Sequence, residues 1–264
     1  MISFTSAQLA AWMAAFFFPF FRILAMVTSA PVLGARGSPM QVKVGFAFVI
    51  TLVIAPTLKS IPQVDPGSAL GLMILAQQVA IGLSMGMAMR VVFSAVEMAG
   101  SLIGLQMGLG FATFFDPQNS SQTPVVGSFL GMLAILVFLS LNGHQLMIEA
   151  VAQSFRDLPI IAEPHSAAGW RTLAGWGRQI FLGGVLLSLP VIAALLITNI
   201  SIGIMTRAAP QLNIFAVGFP ITLLVGFAVL MLSLPYFIPL LGRLIQDAIQ
   251  VMLQIVRQSL PAIP

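Results

Sequence analysis

The segment "QIFLGGVLLSLPVIAALLITNISIGIMT" (179–206) carries no charged side chain from end to end. A helix needs about 20 apolar residues to cross a hydrocarbon core about 30 Å thick, so this run is long enough to span a membrane. Comparable charge-free runs occupy 66–89, 117–148 and 208–242, with shorter ones at 1–21, 44–58 and 98–115. Lipid permits only helices or closed barrels, and these runs lack the strict alternation of barrel strands. The sequence therefore predicts membrane helices.

The composition supports the same class and excludes several others. Charged residues make up 7% of the chain and hydrophobic residues 59%, whereas an ordinary soluble domain is about 25% charged. Cysteine is absent, which excludes disulfides, thiolate catalysis and cysteine metal sites. The few basic residues form no run, so nucleic acid is not an expected partner. Metal-ligand, phosphate-loop and dinucleotide motifs are all missing, so we expect no metal, no cofactor and no catalytic residue.

Proline and glycine divide the chain into candidate helices. These lie near 7–33, 40–58, 69–89, 98–115, 125–148, 179–206 and 211–235, followed by a last one near 240–259. We therefore expect an all-α membrane protein of packed helical hairpins, with about seven apolar helices plus a C-terminal amphipathic helix. The long polar connection 156–178 is the best boundary between an N-terminal helical region (residues 1–160) and a C-terminal hairpin (residues 161–264).

The last predicted helix carries a polar stripe. Its polar residues recur at steps of three and four: Arg243, Gln246, Asp247, Gln250, Gln254 and Arg257. Such a stripe fits a helix that lies at the membrane surface. It fits equally well a polar face turned towards a partner or a water-filled passage.

Lysine and arginine in short loops indicate the orientation of the chain. With seven spans, most of them lie in loops on one side and in the C-terminal tail, which predicts a cytoplasmic C-terminus. This Lys/Arg bias weakens if 69–115 is one continuous helix, because the number of spans is then one fewer and the later loops change sides of the membrane.

Glycines in the middle of the chain predict close helix packing. Gly100, Gly104 and Gly108 repeat at four-residue spacing, and small residues let membrane helices approach closely. We expect 98–108 to be a tightly packed helix, with Gly110 adding a hinge after it. The pairs Gly82/Gly86 and Gly127/Gly131 have the same spacing.

A cluster of phenylalanines follows these glycines. Phe111, Phe114 and Phe115 are spaced so that one helical turn points them the same way, and Asp116-Pro117 then ends the helix. One interpretation is an aromatic boundary against lipid, although such boundaries favour Trp and Tyr. The other is a hydrophobic constriction that closes a passage by dewetting.

Charges within apolar runs normally mark functional or paired positions. The candidates for buried charges are Arg22, Arg90, Glu97 and Arg207. Pairing between helices or subunits is favoured over ion coupling, because no acidic residue lies mid-span beside a partner. A proton-coupled transporter would require Glu97 or Glu149 to carry the proton.

"GLSMG" (82–86) matches the GxSxG pattern of serine hydrolases. That chemistry needs a histidine to accept the proton of Ser84, and His144 is the candidate. The pattern lies inside a helical run rather than at a strand-to-helix turn, which favours a packing ridge over an intramembrane hydrolase.

Four segments resemble the FliR/SctT family of type III secretion export-apparatus proteins. They are "FRILAMVTSAPVLG" (21–34), "IGLQMGLGFATFFDP" (103–117), "LNGH" (141–144) and "RAAPQLNIFAVGFPITLLVG" (207–226). The likeness extends over nearly the whole chain. The flagellar branch, FliR, fits better than the injectisome branch, chiefly through 103–117.

The resemblance implies a non-enzymatic protein of the bacterial inner membrane, embedded in lipid and in a helical assembly. Its implied partners are several FliP and FliQ subunits and FlhB, with FlhA as a further candidate, and its substrates are unfolded flagellar proteins. In that family the region matching 1–160 is FliP-like and the hairpin matching 161–264 is FliQ-like.

The resemblance also implies a role for the phenylalanine cluster. The segment that matches 106–117 is a plug inside the export pore, so Phe111 and Phe114 are expected to face the passage, and Met107 is counted among the plug residues. Phe115 is added on spacing alone.

Overall fold

The computed structural model describes residues 6–35, 37–58, 61–111, 125–163, 166–209 and 214–260. The α-helices in these ranges are α1 (Ser6–Ser29), α2 (Met40–Ile54), α3 (Ala69–Gln106), α4 (Val125–Ser140), α5 (Gly143–Asp157), α6 (Ala168–Trp176), α7 (Gln179–Ala208) and α8 (Ile214–Gln258). Short 3-10 helices cover Ala55–Thr57 and Leu109–Phe111. The same ranges contain no β-strand.

Within the described ranges, five helical stretches are long and apolar enough to cross a membrane: Ala11–Ser29, Met40–Thr57, Ala69–Gln106, Ala168–Ala208 and Val217–Gln258. The number rises to six if α4 and α5 together count as one bent span. The predicted class, an all-α membrane protein, is confirmed.

The prediction of two separate helices at 69–89 and 98–115 is wrong. Helix α3 continues through Arg90 and Glu97, because both charged side chains lie on its exposed face and do not interrupt its backbone hydrogen bonds. It ends at Gln106 and not at residue 115, because Gly108 takes a positive φ of 82° two residues further on. With one helix in place of two, the loops that carry Lys and Arg no longer fall mostly on one side of the membrane. The cytoplasmic location of the C-terminus therefore stays a prediction.

Two other predicted boundaries are also wrong. The helix expected over 125–148 is broken after Ser140, because Asn142 adopts the left-handed conformation with φ 55°. The helices expected over 211–235 and 240–259 form the single helix α8, which contains Pro220, Pro235 and Pro239. Membrane helices tolerate proline where neighbouring groups satisfy the freed backbone. The connection 156–178 contains a helix of its own, α6, which the sequence did not predict.

The described helices belong to two compact units that are not continuous along the chain. One consists of Met1–Val91, Asn142–Gly177 and Ile245–Pro264, and the other of Val92–Leu141 and Arg178–Leu244. The first has a core rich in methionine, and in the second Phe93 and Phe138 stack edge to face at 5.8 Å. The predicted division into a FliP-like region (1–160) and a FliQ-like hairpin (161–264) rests on resemblance to those proteins, and it stays a prediction.

Candidate functional site

Helix α1 and the first half of α3 approach each other at Gly82 and Gly86. A Cβ on Gly82 would lie 2.0 Å from the carbonyl oxygen of Arg22, and one on Gly86 would lie 2.0 Å from Oγ of Ser29. No side chain fits at those distances, so both positions require glycine. This small-residue spacing brings the two backbones together, as membrane helix interfaces commonly do.

The GxSxG pattern therefore belongs to a packing ridge inside α3. Ser84 is buried, and its hydroxyl donates to the carbonyl of Ile81 at 2.7 Å. His144 leaves its buried Nδ1 without a hydrogen-bond partner, so no bond joins Nδ1 to Ser84. The strained turn and the serine–histidine pair that a hydrolase needs are both missing from these described residues. Nor do the described ranges contain a group of three or more potential metal ligands.

Arg22, in the first unit, is fully buried, unlike the other charged residues whose side chains the structure describes. Its guanidinium Nε donates to Oε1 of Gln78 at 2.8 Å, and Nη1 donates to the carbonyl of Ser154 at 3.1 Å. Nη1 and Nη2 both donate to the carbonyl of Leu158 at 3.1 Å. The guanidinium also lies 4.3 Å from the ring centre of Phe155. One side chain thus joins α1, α3 and the end of α5.

The partners of Arg22 are neutral, which differs from the charge pairing that the sequence suggested. The carbonyls of Ser154 and Leu158 lie at the C-terminal end of α5, where the helix dipole carries partial negative charge. A planar guanidinium with five N–H donors suits several carbonyls at once. Sequence reasoning missed Gln78 and Ser154, because they lie 56 and 132 residues away from Arg22 and belong to no motif.

The other candidates for buried charge lie at the surface of the chain. Arg90, Glu97 and Arg207 are all exposed. Exposure in the single chain does not test their predicted pairing between subunits, which stays a prediction. Within the described residues, a salt bridge joins Arg257 to Asp157 at 2.9 Å.

The four glycines predicted to pack closely have different surroundings. A Cβ on Gly100 would lie 2.3 Å from Cα of Gly127, so α3 and α4 meet backbone to backbone there. A Cβ on Gly104 would make ordinary contacts of 3.9 Å with Leu109 and Val126. Gly108 lies beyond the end of α3, so its predicted place on the helix face is wrong. A Cβ on Gly110 would meet no atom within 4 Å.

Gly108 ends helix α3 where the phenylalanine segment begins. Its φ of 82° belongs to the left-handed region that favours glycine and commonly ends helices. Its amide donates to the carbonyl of Leu105 at 3.1 Å, and the amide of Met107 donates to Ile103 at 2.9 Å. Leu109–Phe111 then form a single 3-10 turn.

The predicted plug residues are only partly described. Met107 is fully buried, packed against Gly226 of α8. Phe114 and Phe115 lie outside the described residues, and for Phe111 the description covers only the backbone. The passage-facing role of these three rings stays a prediction.

The polar stripe near the C-terminus is present on α8. All six of its members, from Arg243 to Arg257, are exposed. The opposite face is buried through Leu241, Leu244, Ala248 and Met252. The amphipathic character predicted for 240–259 is therefore confirmed, although it forms the end of a longer helix.

Comparison with known proteins defines the class of this helical membrane protein. Residues 13–248 match the family described as bacterial export proteins, family 1. The chain is 44% identical over 258 residues to flagellar biosynthetic protein FliR of Pectobacterium carotovorum subsp. carotovorum, with 98% of each chain covered. It is 40% identical to FliR of Escherichia coli (strain K12), again over 98% of each chain. FliR of Bacillus subtilis (strain 168) is 31% identical over 83% of this chain and 86% of the relative.

The chain belongs to the FliR family of flagellar biosynthetic proteins. The resemblance seen in the sequence is confirmed, and the flagellar names of these relatives favour the flagellar branch. The relatives are named for flagellar biosynthesis and not for a catalytic activity, which supports a non-enzymatic role.

Proposed function

We propose that this protein is a core component of the flagellar protein export gate in the bacterial inner membrane. It forms the entry portal for unfolded flagellar proteins together with FliP and FliQ, in contact with FlhB and with FlhA as a further candidate. Residues 1–160 form its FliP-like region and 161–264 its FliQ-like hairpin. The sequence has no nucleotide-binding motif, so the energy for export comes from other components.

The observation that carries this proposal is family membership over nearly the whole chain. The exposed apolar surface of α8 supports an assembled state. Met231, Leu232 and Tyr236 are 75%, 73% and 78% exposed. Side chains of this kind require lipid or neighbouring helices around them, because large exposed apolar patches mark interaction sites or membrane contact.

The plug role of 106–117 is supported by how the segment begins. Helix α3 stops at a glycine with positive φ, and the phenylalanines follow within a few residues. Three large apolar rings carry no group that water or an ion can bind. Such rings close a narrow passage by excluding water, and a hydrophobic constriction of this kind stops ions.

The experiment is to replace Phe111 and Phe114 with Ala and measure ion leakage across the inner membrane together with secretion of flagellar proteins. We expect leakage to rise several-fold while secretion continues, because the smaller side chains leave a wettable gap. Phe181→Ala is the matched control, since this phenylalanine is 65% exposed on α7. Unchanged leakage with normal secretion would contradict the sealing role.

A further inference from the structure

Helix α8 holds the residue at which the plug segment leaves α3. The side chain of Met107 is fully buried. A Cβ on Gly226 would lie 2.7 Å from Cγ and 2.9 Å from Cε of Met107. A side chain at this point of α8 would overlap the methionine as it is now placed, so Met107 would have to shift.

Thr222 lies one helical turn before Gly226 and completes the contact. It is buried, and its hydroxyl oxygen is 3.4 Å from the carbonyl oxygen of Met107 and 2.9 Å from that of Phe219. The backbone and the side chain of Met107 therefore both meet the same face of α8.

The position of Met107 in the chain gives this contact its importance. Its amide still donates to Ile103 as the last turn of α3 requires, whereas the next residue, Gly108, leaves the helix with φ 82°. Met107 is thus the last residue that α3 orients, and the backbone changes direction immediately after it.

We propose that Gly226 and Thr222 form a fixed seat for Met107 and so set the position from which the plug segment starts. Gly226 and Thr222 are then positioning residues in the C-terminal hairpin that act on the seal through Met107. The contact is permanent: Met107 stays on α8 in the closed state and during export. This inference rests on the plug role proposed above.

The first test is a double-mutant cycle read out by ion leakage. Gly226→Ala overlaps with the methionine, and Met107→Ala leaves a void, so we expect each to raise leakage at least threefold. The double variant restores some of the lost volume, and its leakage is expected to fall below that of either single variant. Gly218→Ala on the same helix is the control, because its Cβ would meet Ile202 at an ordinary 3.6 Å. Copurification of the partner subunits verifies that each variant assembles.

The variants Phe111→Ala and Phe114→Ala are measured in parallel, so that the two ideas can fail separately. If the two phenylalanine variants leak ions and an assembled Gly226→Ala variant does not, the proposed seat for Met107 is refuted and the sealing role is kept. If none of them leaks, the sealing role fails and the seat loses its function with it.

A cross-link tests whether the seat is permanent. The chain has no cysteine, so Met107→Cys with Gly226→Cys introduces its only pair of thiols. We expect oxidation to join them and flagellar secretion to continue within twofold of the reduced protein. Failure to cross-link would overturn the contact. A block of secretion that a reductant reverses would show that Met107 must leave α8, and would overturn the permanence of the seat.

Discussion

Replacing the buried Arg22 with Met tests whether neutral hydrogen bonds hold the first unit together. Methionine has an unbranched apolar side chain that fills much of the same space, so the change removes hydrogen bonds more than volume. The acceptors that lose their donor are Oε1 of Gln78 and the carbonyl of Leu158. The carbonyl of Ser154 keeps the amide of Leu158 at 2.9 Å.

The magnitude follows from those two acceptors. A buried polar group left without its partner costs about 1–3 kcal/mol, so the free energy of unfolding should fall by about 2–6 kcal/mol. Removing a buried cation relieves its desolvation, which places Arg22→Met towards the lower end of that range. Arg22→Lys keeps a buried charge and makes fewer of the bonds. It should therefore destabilise the protein at least as much as Arg22→Met.

The assay is a thermal melt of the tagged protein in mild detergent, followed by size-exclusion chromatography with fluorescence detection. At about 2–4 °C per kcal/mol for a chain of this size, we expect the midpoint to fall by about 5 °C or more. Arg90→Met is the matched control, because Arg90 is exposed on α3 and its loss orphans no buried acceptor. An Arg22→Lys variant with the same melting midpoint as the wild type would refute the reasoning, because a positive charge without these hydrogen bonds would then be enough for stability.

Two further predictions concern the small residues of α3. Gly100→Ala should strongly reduce the yield of folded protein, because its Cβ would overlap Gly127. Gly104→Ala should give a yield near that of the wild type, because its Cβ would make ordinary 3.9 Å contacts. Equal yields of the two variants in quantitative blots would contradict this packing. Ser84→Ala should leave flagellar secretion unchanged, and the wild type should not react with a fluorophosphonate probe, because the hydroxyl bonds the carbonyl of Ile81 within its own helix. Labelling that Ser84→Ala abolishes would instead favour the hydrolase.

The sequence predicts this fold well where burial in lipid dictates the residue types. The charge-free run 179–206 became α7, and the stripe from Arg243 to Arg257 became the exposed face of α8. The helix ends predicted from the sequence were wrong at positions where a single residue determines whether the helix continues. Exposed charges at 90 and 97 do not interrupt α3, whereas Asn142 breaks a run that contains no charge.

The candidate site was predictable only to a limited extent, because its contacts join distant segments of the chain. Glycine spacing identified Gly82, Gly86 and Gly100 as packing positions, since only a missing side chain permits such close approach. The same spacing failed at Gly108, which ends α3 instead of lying along its face. The partners of Arg22 are neutral groups on α3 and α5, and neutral acceptors leave no pattern in a sequence. The contact between Met107 and Gly226 likewise depends on how α8 packs.

The central claim is that this chain works as one subunit of a helical export gate. The most direct measurement is the mass and composition of the complex that a tagged copy of this chain carries out of the membrane in mild detergent. We expect one copy of this chain with several copies each of two other small helical membrane proteins. A stable, monodisperse single chain, with Met231, Leu232 and Tyr236 covered by detergent alone, would contradict the claim.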